Sequence, residues 1–426
     1  MDKQIFKTII GAKQQQIKRI EMLNRAEKFD PNTNYVLVGI RRAGKSYTLY
    51  QDIQEKLLFG RAKLEDILYV NFEDERIASI HAEELEQILD AYREMYDQKY
   101  PFVYLDEIQN VTGWEKFARR LSEEKYHVMI TGSNAKMLSN EVASTLGGSY
   151  VQRNIYPFSF KEYLEYSMVE LIPNWNFNPE TRLSVIRHFS EYFHFGGLAE
   201  SFDKTDKREW LTSLYQKILM GDIVERNSIR NPRILRILAR KIAESVMQPT
   251  TLKRLENIIK ATGDSLSPSV LKDYLGYMED AYLVFSIPNL VSPLTEQQTI
   301  VKRYFADNGI LSLFLLDDEA KLLENMVAIQ LHKKYTNTAE ELRMFYYNKS
   351  VEVDFCIPEI RTAIQVAYSI DNGSAYEREV GGLLKFLKVF NQYHGIIVTY
   401  DTERTITEDG ITIEVVPMWK WMLSED

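Results

Sequence analysis

Cysteine is nearly absent from this sequence, in which Cys356 is the only one. A single cysteine cannot form a disulfide within the chain or supply a multi-cysteine metal site, and this fits a reducing compartment. No run of residues approaches the roughly 20 apolar positions of a membrane-spanning helix. The start of the sequence also lacks the long apolar core and the small-residue cleavage site of a secretion signal. We therefore expect a cytoplasmic protein without a membrane segment.

An excess of positive charge is also missing. Lys and Arg total 52 against 61 Asp and Glu, and the formal net charge is −9. This balance argues against a protein coated in basic charge, although it leaves room for a local basic face. The hydrophobic fraction of 45% is that of a globular protein, and a length of 426 residues predicts two or three domains.

A complete phosphate-binding motif lies near the start of the chain. Residues 35–38 are an apolar run that predicts a buried strand, and residues 39–46 (GIRRAGKS) then fill every fixed position of G-x-x-x-x-G-K-[ST]. Glycine is needed there because backbone N–H groups must wrap closely around a polyphosphate, and the following helix adds its positive end. Lys45 would reach the β- and γ-phosphates, and the Ser46 hydroxyl would bind Mg²⁺. A chance glycine turn before a helix is the alternative. The predicted nucleotide-binding residues of this segment are Gly39, Ile40, Arg41, Arg42, Ala43, Gly44, Lys45, Ser46 and Tyr47.

Two adjacent carboxylates, Asp106 and Glu107, end a later apolar run at residues 101–105. At the end of a strand, Asp106 would hold Mg²⁺ through water, and Glu107 would orient or deprotonate the attacking water. Acidic pairs after strands are also common as helix N-caps, but the phosphate-binding motif upstream favours the catalytic interpretation. The sequence therefore predicts hydrolysis, with Lys45, Asp106 and Glu107 as catalytic residues and with Ser46 and Asp106 as metal ligands.

Another predicted strand, at residues 127–134, closes with the small polar residues Ser133 and Asn134. These side chains would sense the γ-phosphate or the attacking water, with an ordinary strand-end turn as the alternative. Because strands alternate with helices here, we expect a parallel α/β sheet, whose ligands lie beyond the carboxyl ends of the strands.

Four motifs carry a resemblance to a known family: GIRRAGKS, VYLDEIQ, VMITGSNAKML and NIYPFSFKEYL. In this order and spacing they resemble the prokaryotic AAA-type P-loop ATPases whose C-terminal half is a domain of unknown function related to the PD-(D/E)xK nucleases. FGGLAES, YFADNGILSLF, LLENMVAIQL and VEVDF extend the resemblance over essentially the whole chain. The resemblance implies ATP as the nucleotide, Mg²⁺ as the metal, and Ser133 or Asn134 as the first sensor.

One position departs from this family. Its members carry an arginine in a Leu-x-Gly-Arg context shortly before the PFSF stretch, whereas this chain has Ser149 there, after Leu146-Gly147-Gly148. Such an arginine can be worth roughly 10³–10⁵ in rate in GTPases, so its absence argues for slow hydrolysis. Arg153, Arg41 and Arg42 are candidate substitutes, and for the last two a solvated surface is the alternative.

The middle of the chain offers two candidate contacts with DNA. Five arginines recur at steps of three or four residues, which would place them on one helical face wherever a helix runs unbroken past Pro232. Residues 250–275 resemble a helix-turn-helix, with Ser267 as N-cap and Pro268 at the first helical position, and the short run at residues 282–285 suggests a winged form. A solvated helix face and packing between domains are the respective alternatives, and the few outward residues of the second helix favour packing. The five arginines are Arg226, Arg230, Arg233, Arg236 and Arg240.

The last third resembles a PD-(D/E)xK nuclease with an incomplete active site. Such a nuclease needs an acidic residue on each of two strands to hold Mg²⁺, and a lysine two residues after the second. Glu324 lies in a predicted helix and Asp354 in the first predicted strand, but the second strand has Gln365 in place of the carboxylate and Ala367 in place of the lysine. We therefore expect a nuclease-like fold kept for structure or binding, without nuclease activity.

These features predict an α/β protein in three parts. Residues 1–165 would form a P-loop ATPase domain with a parallel sheet flanked by helices, residues 166–295 a helical and winged-helix region, and residues 296–426 a smaller α/β, nuclease-like domain. The predicted function is Mg²⁺-dependent ATP hydrolysis coupled to rearrangement of the C-terminal domains. The alternatives are a nucleotide-controlled switch or binding module with little hydrolysis, and an ATP-dependent DNA-processing protein. Besides ATP, we expect a protein partner or a second copy of the chain.

Overall fold

A computed structural model describes residues 2–97, 100–134, 145–293, 296, 299–336, 343–371 and 373–424. The chain divides into two compact units, Met1–Tyr156 and Pro157–Asp426. The last four residues of VMITGSNAKML, 135–138, lie outside the described residues. Within the described part of the chain, no helix is long and apolar enough to cross a membrane.

The first unit is built on a five-stranded sheet in which every strand pairing is parallel, in the order β2-β3-β4-β1-β5. The central strands are buried on both faces, which explains why they appear in the sequence as continuous apolar runs. The prediction of a parallel α/β sheet is confirmed, and the carboxyl ends of its strands share one edge. The strands are β1 (Asn34–Val38), β2 (Ile67–Asn71), β3 (Phe102–Asp106), β4 (His127–Gly132) and β5 (Tyr150–Asn154).

Four α-helices of this unit have both ends among the described residues. The first begins after Asp2, whose carboxylate accepts a hydrogen bond from the N–H of Gln4, and it buries Phe6 and Ile9. The second starts directly after the phosphate-binding motif, as the sequence predicts, and is preceded by Gly44. The four helices are α1 (Lys3–Arg19), α2 (Lys45–Leu58), α3 (Glu86–Met95) and α4 (Trp114–Glu123).

The second unit opens with helices that pack through close glycine contacts. A side chain on Gly197 would place its Cβ 2.1 Å from the carbonyl oxygen of Phe158, and one on Gly309 would lie 2.2 Å from that of Phe195. Gly197 also donates its N–H to Asp307 Oδ2 at 2.8 Å. These contacts give a physical reason for the glycines of FGGLAES and YFADNGILSLF. The elements are α5 (Phe160–Tyr166), α6 (Pro179–Phe195), α7 (Lys207–Lys217) and a π-helix (Ile218–Glu225) that continues α7.

A three-stranded antiparallel sheet follows, with the strand order β6-β8-β7. The two predicted helices of the helix-turn-helix are present, and the Ser267 hydroxyl accepts a hydrogen bond from the N–H of Val270 at the start of the second. Because β8 pairs with both β6 and β7, this sheet spans the predicted boundary between residues 295 and 296. The elements are α8 (Pro232–Glu244), β6 (Thr250–Thr251), α9 (Leu252–Ala261), α10 (Pro268–Asp280), β7 (Val284–Pro288) and β8 (Ile300–Phe305).

The five arginines do not share one helical face. The π-helix ends at Glu225, and α8 begins only at Pro232, where the Asn231 side chain accepts a hydrogen bond from the N–H of Arg233. Arg226 and Arg230 therefore precede the helix that carries the other three. An N-cap followed by proline ends the helical run that the three- and four-residue spacing suggests.

The chain ends in a six-stranded mixed sheet with the order β13-β14-β12-β11-β10-β9. The antiparallel pair β10 and β11 is the predicted hairpin, whereas β11, β12 and β14 run parallel. One helix, α13, packs on the sheet through Val380, Leu383 and Leu387. The elements of this part are α11 (Asn308–Ser312), α12 (Glu319–Tyr335), β9 (Phe345–Asn348), β10 (Glu352–Ile357), β11 (Thr362–Val366), α13 (Gly373–Val389), β12 (His394–Thr399), β13 (Arg404–Glu408), β14 (Ile411–Pro417) and α14 (Met418–Ser424).

Candidate active site

The phosphate-binding loop joins the end of β1 to the start of α2, and its two fixed glycines are required by the backbone. A Cβ on Gly39 would lie 2.1 Å from the carbonyl oxygen of Ile155, which is backbone and cannot swing aside. Gly44 has φ +99°, in the left-handed region that side chains rarely adopt. The loop can therefore be this tight only with glycine at both positions.

Lys45 brings a buried positive charge into the middle of this loop. Its Nζ donates to the carbonyl oxygens of Gly39 at 3.0 Å and Ile40 at 3.2 Å, and it lies 3.8 Å from Oε1 of Glu107. Two of its three neighbours are neutral carbonyls. The ammonium group is therefore held in place without being fully neutralised.

Asp106, the last residue of β3, is completely buried and is held by several donors. The hydroxyls of Ser46, Tyr69 and Thr131 donate to its carboxylate, and Asn71 Nδ2 donates at 3.2 Å. Burial and the charge of Glu107 raise the pKa of Asp106, while the three hydroxyl hydrogen bonds oppose that rise. The structure thus brings the two predicted metal ligands, Ser46 and Asp106, into direct contact.

Glu107 follows in an unusual backbone conformation, with φ +54°, and its carboxylate is buried. Its N–H donates to Thr131 Oγ1 at 2.9 Å, and its carboxylate accepts a hydrogen bond from Gln109 Nε2. Burial acts to raise the pKa of Glu107, but the charge of Lys45, the Gln109 hydrogen bond and the charge of Arg41 together lower it below its ordinary value. The carboxylate is therefore ionised near neutral pH and can accept a proton.

Sequence reasoning missed the residues that hold these two carboxylates. Thr131 contacts both of them, Asn71 lies opposite Asp106 in the register of β2 and β3, and Gln109 links Glu107 to Ser133 Oγ at 3.4 Å. The available signal was a polar residue in or just after an apolar strand. Such residues become informative only once the strand order places them at a common edge.

Arg25 is a further missed residue that braces the phosphate-binding loop from the preceding segment. Its Nη1 donates to the carbonyl oxygens of Ala43 at 3.2 Å and Tyr156 at 3.0 Å. Its own backbone is fixed by Gln51 of α2, which accepts from its N–H at 2.8 Å and donates to its carbonyl at 2.9 Å. The middle of α2 and the loop are thereby tied to the segment before β1.

The other predicted site residues take varied positions. Ser133 and Asn134 are buried at the end of β4, close to Glu107 through Gln109. Arg41 pairs with Glu73 at 2.9 Å, and Tyr47 is 45% exposed at the start of α2.

The arginine that is a candidate to replace the missing family arginine is directed elsewhere. The guanidinium of Arg153 lies 5.8 Å from the ring centroid of Tyr35, near the amino end of β1, whereas the phosphate-binding loop follows the carboxyl end. Gly147 and Gly148 have φ values of +62° and +72° just before Ser149. In this conformation Arg153 is directed away from the loop.

The residues singled out in the nuclease-like part also come together. Asp354 on β10 and Glu324 on α12 share a contact with Lys302 of β8, at 2.9 Å and 3.3 Å from its Nζ. Gln365 on β11 donates instead to Glu379 of α13, and Ala367 is buried just after the strand. Among the described residues, no group of three or more His, Cys, Asp or Glu side chains could hold a metal ion. Sequence reasoning missed Lys302 and Glu379.

The arginines of the candidate DNA contact mostly meet acidic side chains. Arg226 lies 3.8 Å from Asp222, Arg233 lies 3.7 Å from Asp264, and Arg240 lies 3.2 Å from Glu244. These pairs reduce the positive charge that the surface presents to a phosphate backbone.

Two segments of this chain match family models, and two curated proteins are similar to it over most of its length. Residues 31–164 match the family model described as an AAA domain, and residues 186–321 match a domain of unknown function (DUF8612). An uncharacterized protein of Methanocaldococcus jannaschii is 33% identical, over 100% of this chain and 96% of that protein. An uncharacterized protein of Haemophilus influenzae is 29% identical, over 91% of this chain and 94% of that protein.

Two solved structures are similar to this chain at a greater distance. The Walker-type ATPase of Pyrococcus abyssi is 15% identical, with a TM-score of 0.43, over 66% of this chain and 90% of that one. The Aeropyrum pernix ORC1 protein, solved in complex with DNA, is 15% identical, with a TM-score of 0.29, over 77% of this chain and 93% of that one. Both likenesses concern the fold alone.

Proposed function

The chain belongs to the same family as the uncharacterized Methanocaldococcus jannaschii protein and matches an AAA domain at residues 31–164, and on these premises we propose that it binds ATP and hydrolyses it with Mg²⁺. One observation carries the proposal. Lys45, Asp106 and Glu107 are buried, and together with the half-buried Ser46 they form a single cluster at the carboxyl ends of β1 and β3. This is the edge of a parallel sheet at which ligands bind.

The residues of the cluster fit a nucleotide with its metal ion. The Ser46 hydroxyl and the Asp106 carboxylate are oxygen ligands of the kind that Mg²⁺ takes, and they already lie in contact. Mg²⁺ would supply neutralisation of charge on the phosphate oxygens. Lys45 would bind the β- and γ-phosphates, since its present partners in the loop are neutral carbonyls that an anion can replace. Backbone N–H groups of residues 40–47 would bind the remaining phosphate oxygens at the amino end of α2.

Glu107 is the proposed base. Its lowered pKa keeps it ionised, and Gln109 and the backbone bond to Thr131 fix the direction of its carboxylate. It would accept a proton from the attacking water, while Ser133 or Asn134, at the end of the neighbouring strand, would contact the γ-phosphate or that water. Glu107 thus contributes a positioned and charged acceptor.

Steady-state ATP turnover with Mg²⁺ tests this assignment. We expect Glu107→Gln to reduce turnover by about 10²–10⁴-fold with ATP binding intact, because the amide cannot take up the proton. Lys45→Ala should abolish ATP binding. Glu123→Gln is the matched control, since Glu123 forms an exposed pair with Arg119 and should leave turnover unchanged. Unchanged turnover in Glu107→Gln, or tight ATP binding by Lys45→Ala, would contradict the proposal.

A second candidate function is a nucleotide-controlled switch with little hydrolysis of its own. It is favoured by Ser149 at the position of the family arginine and by the direction of Arg153 towards Tyr35. In this case a protein partner or a second copy of the chain would supply the arginine. We propose that nucleotide state then alters the arrangement of residues 166–426 relative to the predicted domain 1–165, while the predicted parts 166–295 and 296–426 move together because they share the sheet β6-β8-β7.

Hydrogen exchange separates the switch from the plain enzyme. With ATP bound to the Glu107→Gln variant, the switch predicts altered exchange in residues beyond 166, whereas an enzyme without coupling predicts changes only near the phosphate-binding loop. Turnover that is negligible in the isolated chain and rises with chain concentration would point to a second copy as the source of the arginine.

ATP-dependent DNA processing is the weakest of the three functions. The strands β6, β7 and β8 with helices α8, α9 and α10 support the winged-helix prediction, but α10 exposes one lysine beside one aspartate, Lys272 and Asp273. Three of the five arginines also meet acidic partners. DNA binding that falls steeply with salt, and that Arg236→Ala weakens, would revive this function.

A further inference from the structure

A second buried charge cluster lies within the second unit and has no part in the proposed function. Lys302, on the central strand β8 of the three-stranded sheet, is completely buried. Its Nζ lies 2.9 Å from Asp354 Oδ1, 3.3 Å from Glu324 Oε1 and 3.3 Å from Glu352 Oε1. Burying an ammonium group is costly unless it is paired with negative charge, so these carboxylates stabilise Lys302 in its buried position.

The carboxylates come from a different part of the unit. Glu324 lies on α12, and Asp354 and Glu352 lie on β10 of the six-stranded sheet. The elements of this part follow one another in the order α12, β9, β10, β11, α13 and β12. Glu324 lies on the helix α12 and Asp354 on the strand β10, the helix and the strand to which the resemblance to nucleases draws attention. The Lys302 ammonium group, carried by the three-stranded sheet, therefore lies among carboxylates of α12 and of the six-stranded sheet.

Most of the other groups in this cluster that could bind a metal ion form hydrogen bonds within the protein instead. Asp354 Oδ2 accepts the N–H of Val366 at 3.0 Å, and Glu324 Oε1 also accepts the hydroxyl of Tyr304 at 2.7 Å. Gln365, at the position of the second acidic ligand, accepts the N–H of Asp354 at 3.4 Å and donates to Glu379. Among the described residues, the buried Glu324 Oε2 has no hydrogen-bond partner.

The charges within the cluster oppose one another. Burial acts to lower the pKa of Lys302, but the charges of Asp354, Glu324 and Glu352 outweigh it and raise that pKa. Burial and the charge of Asp354 raise the pKa of Glu324 to about 7, against the influence of Lys302 and Tyr304. The single positive charge of Lys302 therefore compensates the negative charge of Asp354 but compensates that of Glu324 only in part.

We propose that the Lys302 ammonium group takes the place of a divalent metal ion between Glu324 and Asp354, so that this cluster clamps the three-stranded sheet to the six-stranded sheet and serves no metal-dependent reaction. An ammonium group can donate three hydrogen bonds, and three carboxylates surround it. Unlike a metal ion, it cannot leave, because the chain carries it. The clamp closes the position to Mg²⁺ in the folded chain.

Binding of Mn²⁺ to the nucleotide-free full chain, measured by electron paramagnetic resonance, tests this proposal. The proteins are the parent chain, Lys302→Met and Lys302→Met/Asp354→Asn, each with Asp106→Asn so that the predicted metal ligand of the phosphate-binding site does not contribute. We expect Lys302→Met to bind one more Mn²⁺ per chain than the parent, because methionine keeps the length and removes the charge. The double substitution should lose that ion again.

Equal Mn²⁺ counts in the parent and Lys302→Met would overturn the proposal, whether both bind the ion or neither does. Lys302→Met leaves two buried carboxylates without a cation, so its folding needs a separate check. Lys302→Met/Glu324→Gln removes one charge of each sign, and we expect it to unfold at a higher temperature than Lys302→Met alone. A temperature that is no higher, or failure of both variants to fold, would show that Glu324 and Lys302 do not balance each other and would also overturn the proposal.

Discussion

Two buried lysines of this protein, Lys45 and Lys302, have opposite surroundings. Lys45 contacts two neutral carbonyl oxygens and lies 3.8 Å from its nearest carboxylate, Glu107. Lys302 contacts three carboxylates at 2.9 to 3.3 Å. A lysine held by carbonyls keeps its charge available for an incoming anion, whereas one neutralised by carboxylates is a structural cation. The partners of the charge, and not its burial, separate a binding site from a clamp.

Replacing each lysine by methionine gives the largest expected contrast. Lys302→Met should lower the free energy of unfolding by about 3–5 kcal/mol, because it leaves uncompensated buried carboxylates. Lys45→Met should cost only about 0.5–1.5 kcal/mol, the net value of ordinary hydrogen bonds. Hydrogen exchange in β8 and in β1, followed through a urea titration, measures the two effects locally. Similar losses for both variants would remove the distinction between the lysines.

Removing one hydroxyl from each cluster sharpens the comparison at a smaller scale. Thr131→Val deletes the donor to Asp106 and the acceptor of the Glu107 N–H, so we expect a loss of about 1–3 kcal/mol together with reduced ATP turnover. Tyr304→Phe deletes one donor to Glu324 and leaves Lys302 in place, so about 0.5–1.5 kcal/mol is expected, with turnover unchanged. Urea unfolding and turnover assays measure both. A larger effect of Tyr304→Phe on turnover would contradict the division of roles.

The smallest expected effect is a pH dependence that arises from Glu324. Its pKa of about 7 in the folded chain lies above the ordinary carboxyl value of about 4.3, so between these values the folded state binds more protons than the unfolded state. This group therefore makes stability fall as pH rises towards 7. Lys302 and Tyr304 on β8 and Asp354 and Glu352 on β10 are the ionisable groups around it.

Glu324→Gln should remove this dependence, so the difference in unfolding temperature between variant and parent should move in favour of the variant from pH 5 to pH 8. Glu359→Gln is the control, because Glu359 forms an exposed pair with Arg343. A difference that is independent of pH for Glu324→Gln would show that the carboxyl titrates outside this window.

The features that could be predicted from the sequence are those determined by residues that lie close together along the chain. The motif at residues 39–46 and the carboxylates at the end of β3 are local patterns, and the strands and helices around them appear where the apolar runs place them. Lys302 could not be found in this way, because it lies 22 residues before Glu324 and 52 before Asp354, on a strand of another sheet. The prediction of a single arginine face was wrong for a local reason. The N-cap at Asn231 starts a new helix, and the spacing of the arginines alone does not reveal this start.

The shared strand β8 also determines where this chain can be divided for separate expression. A fragment starting at residue 296 would carry β8 without β6 and β7, leaving both edges of the strand unpaired. It would still carry Lys302, and with it the contacts to Glu324 and Asp354. Unpaired strand edges recruit other chains. Fragments cut between β7 and β8 should therefore aggregate, and a soluble C-terminal piece should begin well before β6.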